Sequence, residues 1–214
     1  MNSSEYRKER YRLLGKSILR NFIRRGMEAV YCDTADEAKN FVLSLIPEGS
    51  SVGWGGSQTI SETGILDAVK DGPYRAIDRD AASSTEERYA IMRSIFDADY
   101  FLMSTNAFTK DGELVNIDGN GNRIACLAFG PRHVIVVAGM NKLADNVSDA
   151  FRKIHTTTAP ENCIRLGLNT PCTSAGICGD CHAPDCTCCQ EVVTRHSREK
   201  GRIRVILVGE SLGL

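Results

Sequence analysis

Six of the nine cysteines are gathered near the C-terminal end of the chain, and their spacing is Cys172-x5-Cys178-x2-Cys181-x4-Cys186-x-Cys188-Cys189. Thiolates repel one another unless a cation offsets their charge, so this density indicates a metal centre or redox chemistry. Structural zinc takes four thiolate or imidazole ligands, whereas an iron–sulfur cluster takes thiolates from a compact loop. The spacing is compatible with either centre. Prolines and glycines between the cysteines predict neither a regular helix nor a regular strand there.

The remaining soft ligands have simpler interpretations. His182 lies inside the cysteine-rich stretch, and we interpret it as a surface loop residue rather than a zinc ligand. Cys32, Cys126 and Cys163 are scattered, which favours small buried apolar side chains. The alternative for the whole stretch is a set of free thiols, or disulfides that form on oxidation.

A glycine-rich stretch, Gly53-Trp54-Gly55-Gly56-Ser57-Gln58-Thr59, follows a predicted strand and opens a predicted helix. Glycine lets the backbone approach a ligand closely, and free amides at such a junction attract anions. The Gly-Lys-Ser/Thr ending of a P-loop is missing. We therefore predict an anion-binding loop with contacts from Gly55, Gly56, Ser57 and Thr59. The alternative is a tight turn in which Thr59 caps the helix, helped by Glu62.

A second polar stretch runs from Asp111 to Arg123. Asp111-Gly112 predicts a tight hairpin, which puts Glu113, Asn116 and Asp118 on the returning strand. We predict Glu113 and Asp118 as candidate general bases. Further candidate ligand contacts, here and at two other predicted strand ends, are Asn106, Asn116, Gly119, Gly121, Asn122, Arg123, Asn141 and Lys142. The alternative is a loop whose side chains bond their own backbone.

These residues need a scaffold, and the hydrophobic pattern indicates one. A basic amphipathic helix over about residues 5–25 carries Tyr11, Leu14, Ile18 and Phe22 at helical spacing. We favour a contact of that stripe with the core or with a twin subunit over an acidic partner or a membrane surface. Predicted strands and helices then alternate, including helices over about 59–70 and 141–154. Near-continuous apolar strands alternating with helices predict an α/β fold with a mostly parallel sheet.

Composition and charge exclude several classes of protein. The chain has 214 residues and a formal net charge of −1, so a globally basic nucleic-acid binder is excluded and no nucleic-acid partner is expected. Hydrophobic residues make up 42% of the chain, but no apolar run approaches the roughly 20 residues that span a bilayer. The first residues contain no hydrophobic stretch of the signal-peptide type. We therefore expect a cytoplasmic protein with no membrane span.

Four blocks of the sequence resemble the small, cysteine-bearing members of the lactate-utilisation (LUD) domain family. They are Gly53–Ser57, Asp111–Arg123, Gly139–Lys142, and Asn169–Cys172 followed by Cys178 and Cys181. That family resembles the isomerase and CoA-transferase-like α/β superfamily. The resemblance implies a three-layer α/β/α architecture whose glycine-rich loops hold phosphate or CoA-like groups.

The resemblance also implies a cluster and a role. The family's cysteine motif, Cys-x5-Cys-x2-Cys-x6-Cys, falls on Cys172, Cys178, Cys181 and Cys188. This chain departs from the motif by adding Cys186 and Cys189, either of which is an alternative fourth ligand. The resemblance implies an iron–sulfur cluster, 4Fe-4S in type, with zinc as the alternative. It implies a part in oxidising L-lactate to pyruvate, beside iron–sulfur redox partner proteins.

We therefore expect a helical segment over residues 1–26 and a LUD-type domain over 27–214, which includes a cysteine-rich loop at 170–190. We expect a homo-oligomer that binds a small anion, either a 2-hydroxy acid or a phosphate- or CoA-like group. Two other functions stay open. One is an isomerase or an enzyme that handles acyl, CoA or phosphate groups, and the other is a zinc-stabilised module that binds a partner protein.

Overall fold

The computed structural model describes residues 3–214. The helices are α1 (Ser3–Arg24), α2 (Ala35–Ser44), α3 (Gln58–Glu62), α4 (Ile65–Asp71), α5 (Thr85–Ser94), α6 (Asn122–Ala128), α7 (Val147–Lys153), α8 (Ala159–Leu166) and α9 (Pro171–Ala175). The strands are β1 (Glu28–Cys32), β2 (Ser51–Trp54), β3 (Arg75–Ile77), β4 (Tyr100–Met103), β5 (Ala107–Thr109), β6 (Leu114–Asp118), β7 (His133–Gly139), β8 (Leu143–Ala144), β9 (Gln190–Thr194) and β10 (Ile203–Val208).

The main sheet has six parallel strands in the order β1-β10-β7-β4-β2-β3. Its central strands are almost continuously apolar and buried, as expected for a parallel sheet covered on both faces. One face packs against α1 and α6, and the other packs against α2, α3 and α4. The α/β fold with a mostly parallel sheet, predicted from the hydrophobic pattern, is confirmed, and so is the three-layer α/β/α architecture that the family resemblance implied.

The predicted basic helix packs onto the sheet through its apolar stripe. Ile18 and Phe22 are buried in the core, and Gly15 lies against the ring of Tyr31, where a Cβ atom would come within 2.3 Å of Cδ2. The core contact favoured for this stripe is therefore confirmed. The first two residues of the predicted N-terminal segment lie outside the described residues. Among the helices of residues 3–214, none combines the length and apolarity needed to cross a bilayer.

A second sheet, with the order β8-β5-β6-β9, was not predicted. Its β5–β6 hairpin turns at Gly112, which has a φ of 84°, so the predicted Asp111-Gly112 turn is confirmed. Strand β9 comes after the cysteine-rich loop and pairs antiparallel with β6, which places Gln190 opposite Asp118. This pairing brings the end of the cysteine-rich loop to the polar end of β6.

Two predicted helices were wrong in their extent. The helix expected over 59–70 is divided into α3 and α4 by Gly64, whose φ of 68° is incompatible with a continuing helix. Ser57, rather than Thr59, caps α3 by accepting from the amide of Ile60. The helix expected over 141–154 begins only at Val147, because residues 140–142 form a 3-10 turn, β8 follows, and the Asn146 side chain caps α7.

The cysteine-rich loop contains more regular structure than the sequence indicated. A five-residue helix, α9, begins at Pro171 and ends before Gly176, which adopts the left-handed conformation. Proline fits the first turn of a helix because its missing N–H would have no partner there, so it started a helix instead of preventing one. We refer to residues 170–190 as the thiol segment.

Candidate functional site

A cavity of about 260 Å³ lies at the carboxyl ends of β3, β2, β4 and β7, and we call it the strand-end cavity. Open parallel sheets bind ligands at this edge, because the loops that follow the strands meet there. Its walls are Gly56, Ser57, Gln58, Thr59, Arg79, Ser104, Thr105, Asn106, Ile117, Asp118, Gly119, Asn120, Asn122, Arg123, Lys142, Thr158, Ala159, Asn162, Arg165, Leu166, Thr187 and Leu214.

The glycine-rich loop after β2 packs against two arginines. A Cβ atom on Gly55 would lie 3.1 Å from Cδ of Arg123, and one on Gly56 would lie 2.6 Å from Nη2 of Arg79. Because Gly55 and Gly56 have no side chains, the side chains of Arg123 and Arg79 can pack directly against the backbone of this loop. This is the close approach for which glycine is selected at such loops.

Arg123 is the centre of an internal hydrogen-bond network. Its Nη1 donates to the main-chain oxygen of Ser104 and to Oδ1 of Asn116, and its Nη2 donates to Oδ1 of Asn106 and to the main-chain oxygen of Ile117. Burial lowers the pKa of this guanidinium, and Asp118 opposes that shift. Because both terminal nitrogens already donate to protein oxygens, the network gives Arg123 a positioning role. Direct contact of Arg123 with an anion stays a prediction.

Asp118 stands beside Arg123 in the cavity wall. Its Oδ1 accepts from the amide of Gly121 at 2.9 Å, and its Oδ2 lies 3.5 Å from Nε of Arg123. Within residues 3–214, this buried Oδ2 has no hydrogen-bond donor. Asp118 therefore keeps acceptor capacity at the cavity.

Lys142 brings an ammonium group into the cavity with only 4% of the residue exposed. Its Nζ donates to the main-chain oxygen of Leu214. Burial, followed by the positive charges of Lys153 and Arg123, lowers the pKa of Lys142 to about 8. A lysine with this pKa is still mostly charged at neutral pH and can bind an anion.

The cavity brings together most of the ligand contacts predicted from sequence. Those in its wall are Gly56, Ser57, Thr59, Asn106, Asp118, Gly119, Asn122, Arg123 and Lys142. Those outside its wall are Gly55, Glu113, Asn116, Gly121 and Asn141. Of these, Gly55 and Asn116 contact Arg123 and support it from behind.

Glu113, the other candidate general base, is not brought to the cavity. Its Oε1 pairs with Nη2 of Arg25 at 3.1 Å, and its Oε2 accepts from the hydroxyl of Thr109 at 3.0 Å. These contacts tie the β5–β6 hairpin to the end of α1. The structure thus separates Glu113 from Asp118.

Sequence reasoning missed several lining residues, and Arg79 is the most informative of them. Its Nε is buried and has no hydrogen-bond partner in the described part of the chain. Burial lowers the pKa of its guanidinium, an effect that Asp80 partly opposes. Its position is the available signal, because Arg79 comes two residues after the end of β3 and the carboxyl ends of parallel strands share one edge of the sheet. The other polar residues missed are Gln58, Ser104, Thr105, Asn120, Thr158, Asn162, Arg165 and Thr187.

The cysteines of the thiol segment form two overlapping neighbourhoods that meet where Cys186 contacts Cys188, and the first of them includes Cys163 of α8. Burial raises the pKa of Cys172, and the Cys163 and Cys178 thiols add to the increase against a hydrogen bond from Thr170. Burial raises the pKa of Cys188 to about 12, with further contributions from Cys186, Cys178 and Cys163.

The second neighbourhood consists of Cys181, Cys186 and Cys189. Burial raises the pKa of Cys186, a hydrogen bond from the backbone amide of Cys188 opposes that shift, and the Cys181 and Cys189 thiols add to the increase. Across residues 3–214, no three Cys, His, Asp or Glu side chains form a ready metal-binding group. The donor type, several neighbouring thiols, matches the ligands of zinc and of iron–sulfur clusters. His182 is exposed, as its predicted loop position requires.

The family model of the LUD domain matches residues 16–208. A DUF162 family protein from Deinococcus radiodurans has a similar structure, with a TM-score of 0.53 and 11% sequence identity over 92% of this chain and 98% of that chain. Ribose 5-phosphate isomerase A from Neisseria gonorrhoeae aligns with a TM-score of 0.34 and 13% identity over 53% of this chain and 56% of that chain. A search of curated proteins found no match.

Proposed function

The chain belongs to the LUD domain family and is a lactate-utilisation-type protein, and we propose that it is a subunit or accessory of an iron–sulfur system that oxidises L-lactate to pyruvate. In this proposal the strand-end cavity binds a small anion and the thiol segment holds a redox centre. Oxidation of lactate to pyruvate releases two electrons and two protons. Iron–sulfur partner proteins would receive the electrons.

One observation carries the proposal: the thiol segment forms part of the cavity wall. Thr187, which lies between Cys186 and Cys188, lines the cavity, and its Oγ1 lies 3.4 Å from Sγ of Cys163. Helix α8 lines the same wall through Ala159, Asn162, Arg165 and Leu166. A centre held by these thiols would therefore lie directly behind the ligand. A short distance between the centre and the ligand would allow electron transfer between them. It would equally allow a structural metal to hold this wall of the cavity in place.

The family motif assigns Cys172, Cys178, Cys181 and Cys188 as ligands of the centre. The thiols match its donor chemistry, since iron–sulfur clusters are held by cysteine thiolates. When bound, such a cluster supplies one-electron transfer. The residues of the chain bind and orient the anion: Lys142 and Arg79 offer positive charge, and Asp118 offers an acceptor for a hydroxyl group.

Metal analysis of the full chain purified without oxygen tests the redox centre. We expect iron and acid-labile sulfide, together with a broad visible absorbance that dithionite bleaches. Zinc in place of iron contradicts the redox part and supports the structural alternative. A colourless protein that contains neither iron nor zinc contradicts any metal centre.

A matched pair of variants locates the centre. Cys172→Ser removes a buried motif cysteine, whereas Cys189→Ser removes an exposed cysteine outside the motif. We expect Cys172→Ser to lose the iron and Cys189→Ser to retain it. Equal iron content in the two variants would contradict the assignment. Addition of L-lactate should raise the melting temperature of the wild type, because a ligand that binds only the folded chain stabilises it.

A further inference from the structure

The strand-end cavity receives cationic side chains from two separated strand ends. Arg79 follows β3 and Lys142 follows β7, and two strands, β2 and β4, lie between them in the sheet. Neighbouring strands lie about 4.8 Å apart, so the backbone positions that carry the two side chains are roughly 14 Å apart. Arg79 and Lys142 therefore enter the cavity from opposite ends.

The Arg79 end has hydrogen-bond donors to spare. A guanidinium carries five N–H donors, and Nη2 of Arg79 lies over Gly56 at the cavity wall. Among residues 3–214, its buried Nε has no acceptor, and its nearest carboxylate, that of Asp80, is 3.9 Å from Nε. An anion at this end would satisfy a buried guanidinium that the chain itself satisfies only in part.

The Lys142 end also has donors to spare. An ammonium carries three N–H donors, and residues 3–214 supply one acceptor, the main-chain oxygen of Leu214. A buried charge is costly unless it is paired. None of the Asp and Glu side chains of the described residues forms an ion pair with Lys142, so two of its three donors are available to an anion.

The middle of the cavity differs from both ends. Arg123 directs its terminal nitrogens to four protein oxygens, and Asp118 lies 3.5 Å from its Nε, so the two side chains offset each other's charge. Oδ2 of Asp118 has no hydrogen-bond donor in the described chain and can accept one. A hydroxyl group is a donor of suitable size and polarity for this position.

We propose that the strand-end cavity binds an organic acid that carries one anionic group at each end and a hydroxyl group between them. One anionic group binds Arg79, the other binds Lys142, and the hydroxyl donates to Asp118. The inference rests on the proposed function in taking this cavity as the ligand site, and it makes an organic acid with two anionic groups a tighter ligand of the cavity than L-lactate. L-lactate has one carboxylate and can neutralise only one end, whereas a cavity of about 260 Å³ has room for the longer acid.

Calorimetric titration of the full chain tests the inference with three probes: 3-phospho-D-glycerate, which has a carboxylate, a hydroxyl and a phosphate, and the single-group anions L-lactate and inorganic phosphate. We expect 3-phospho-D-glycerate to bind at least about tenfold more tightly than either single-group anion. Arg79→Gln and Lys142→Met should each weaken its binding about tenfold. Arg20→Gln and Lys16→Met, on the exposed face of α1, are matched controls that should leave binding unchanged.

The single-group anions provide the decisive contrast. Each should lose less than about threefold in affinity in at least one of the two cavity variants, because it occupies only one end. Equal affinity of wild type for L-lactate and 3-phospho-D-glycerate, or an unchanged affinity for 3-phospho-D-glycerate in either cavity variant, overturns the inference while the proposed function stands. Failure of all three anions to bind overturns both. Should Lys142→Met not fold, Lys142→Gln, which also removes the charge and keeps a polar group at this position, provides the same test.

Discussion

Sγ of Cys163 lies 3.4 Å from Oγ1 of Thr187. The contact joins α8 to the thiol segment, and each of these elements also lines the strand-end cavity. Strand β9 holds the other end of the thiol segment by pairing with β6, which ends at Asp118. The thiols and the cavity therefore share their supporting elements. Oxidation or metal binding at the thiols would therefore affect the cavity through the wall that α8 and the thiol segment form.

Arg123→Gln should lower the free energy of unfolding, because Arg123 is buried and holds an internal hydrogen-bond network. The substitution leaves buried acceptors on Asn106 and Asn116 without their donor and leaves Asp118 without its partner. Removal of one partner from a buried charged network costs about 3 kcal/mol in the free energy of unfolding. Urea unfolding followed by the fluorescence of the single tryptophan, Trp54, which is buried, measures this loss.

Arg88→Gln is the control for that measurement. Arg88 pairs with Asp80 at 2.9 Å on the surface, with 44% of its side chain exposed. Exposed ion pairs contribute less than about 1 kcal/mol, so this variant should unfold close to wild type. Equal losses in the two variants would contradict the positioning role of Arg123.

Glu113→Gln should affect stability and leave anion binding intact. Glu113 contacts Arg25 and Thr109 and does not line the cavity. Loss of a partly buried charge-assisted hydrogen bond costs about 1–2 kcal/mol. Arg25→Gln should cost a similar amount, and the double variant should cost less than the sum because the two changes remove one shared interaction. Weaker L-lactate binding in Glu113→Gln would instead support the role of general base that the sequence indicated.

The scaffold was predictable because its signals are local. Apolar strands such as Val134–Val137 alternate with capped helices, and that rhythm by itself predicts a parallel sheet. The second sheet was not predictable in the same way. Its strand β8 has two residues, and β9 exposes alternate residues without an apolar face, so their place depends on distant pairing with β5 and β6.

The residues of the candidate site also fall into two groups, those that local sequence signals predict and those whose position depends on distant contacts. Glycine-rich and polar loops marked Gly56, Asp118 and Lys142, because their residue types are unusual after a strand. Arg79 is part of no motif, and its role follows only from the position of β3 beside β2. The contribution of Thr187 could not be foreseen either, since it depends on how the thiol segment folds back onto α8.

Anion affinity should depend on pH through Lys142. Burial lowers the pKa of this lysine to about 8, so its charge is present below pH 8 and is lost above it. The affinity for 3-phospho-D-glycerate should therefore decline as the pH rises from about 7.5 to 9, a range in which the phosphate of the ligand, with a second pKa of about 6, is almost fully ionised. Calorimetric titrations at a series of pH values measure the decline, and Lys142→Met should show none. A decline of equal size in that variant would assign the titration to another group.

The same lysine should affect stability with the opposite sign. Between about pH 8 and the ordinary lysine pKa of about 10.4, the unfolded chain binds this proton and the folded chain does not. Stability therefore rises with pH across that window as far as Lys142 is concerned. Thiols with raised pKa values, such as that of Cys188, have the opposite effect and lower the stability as the pH rises. The difference between wild type and Lys142→Met in urea unfolding isolates the lysine contribution, which should increase with pH.

Gly56→Ala should mimic the loss of Arg79 without destabilising the chain. The added methyl group would lie 2.6 Å from Nη2 of Arg79, and because Nη2 ends a flexible side chain, the guanidinium can shift away instead of straining the loop. Gly56 does not have a positive φ, so alanine fits its backbone conformation. We expect the affinity for 3-phospho-D-glycerate to fall toward that of Arg79→Gln, with little change in melting temperature.

The double variant Gly56→Ala with Arg79→Gln should bind no more weakly than Arg79→Gln alone, because both changes act through one guanidinium. Full additivity of the two losses in calorimetry would show that Gly56 contacts the ligand independently of Arg79.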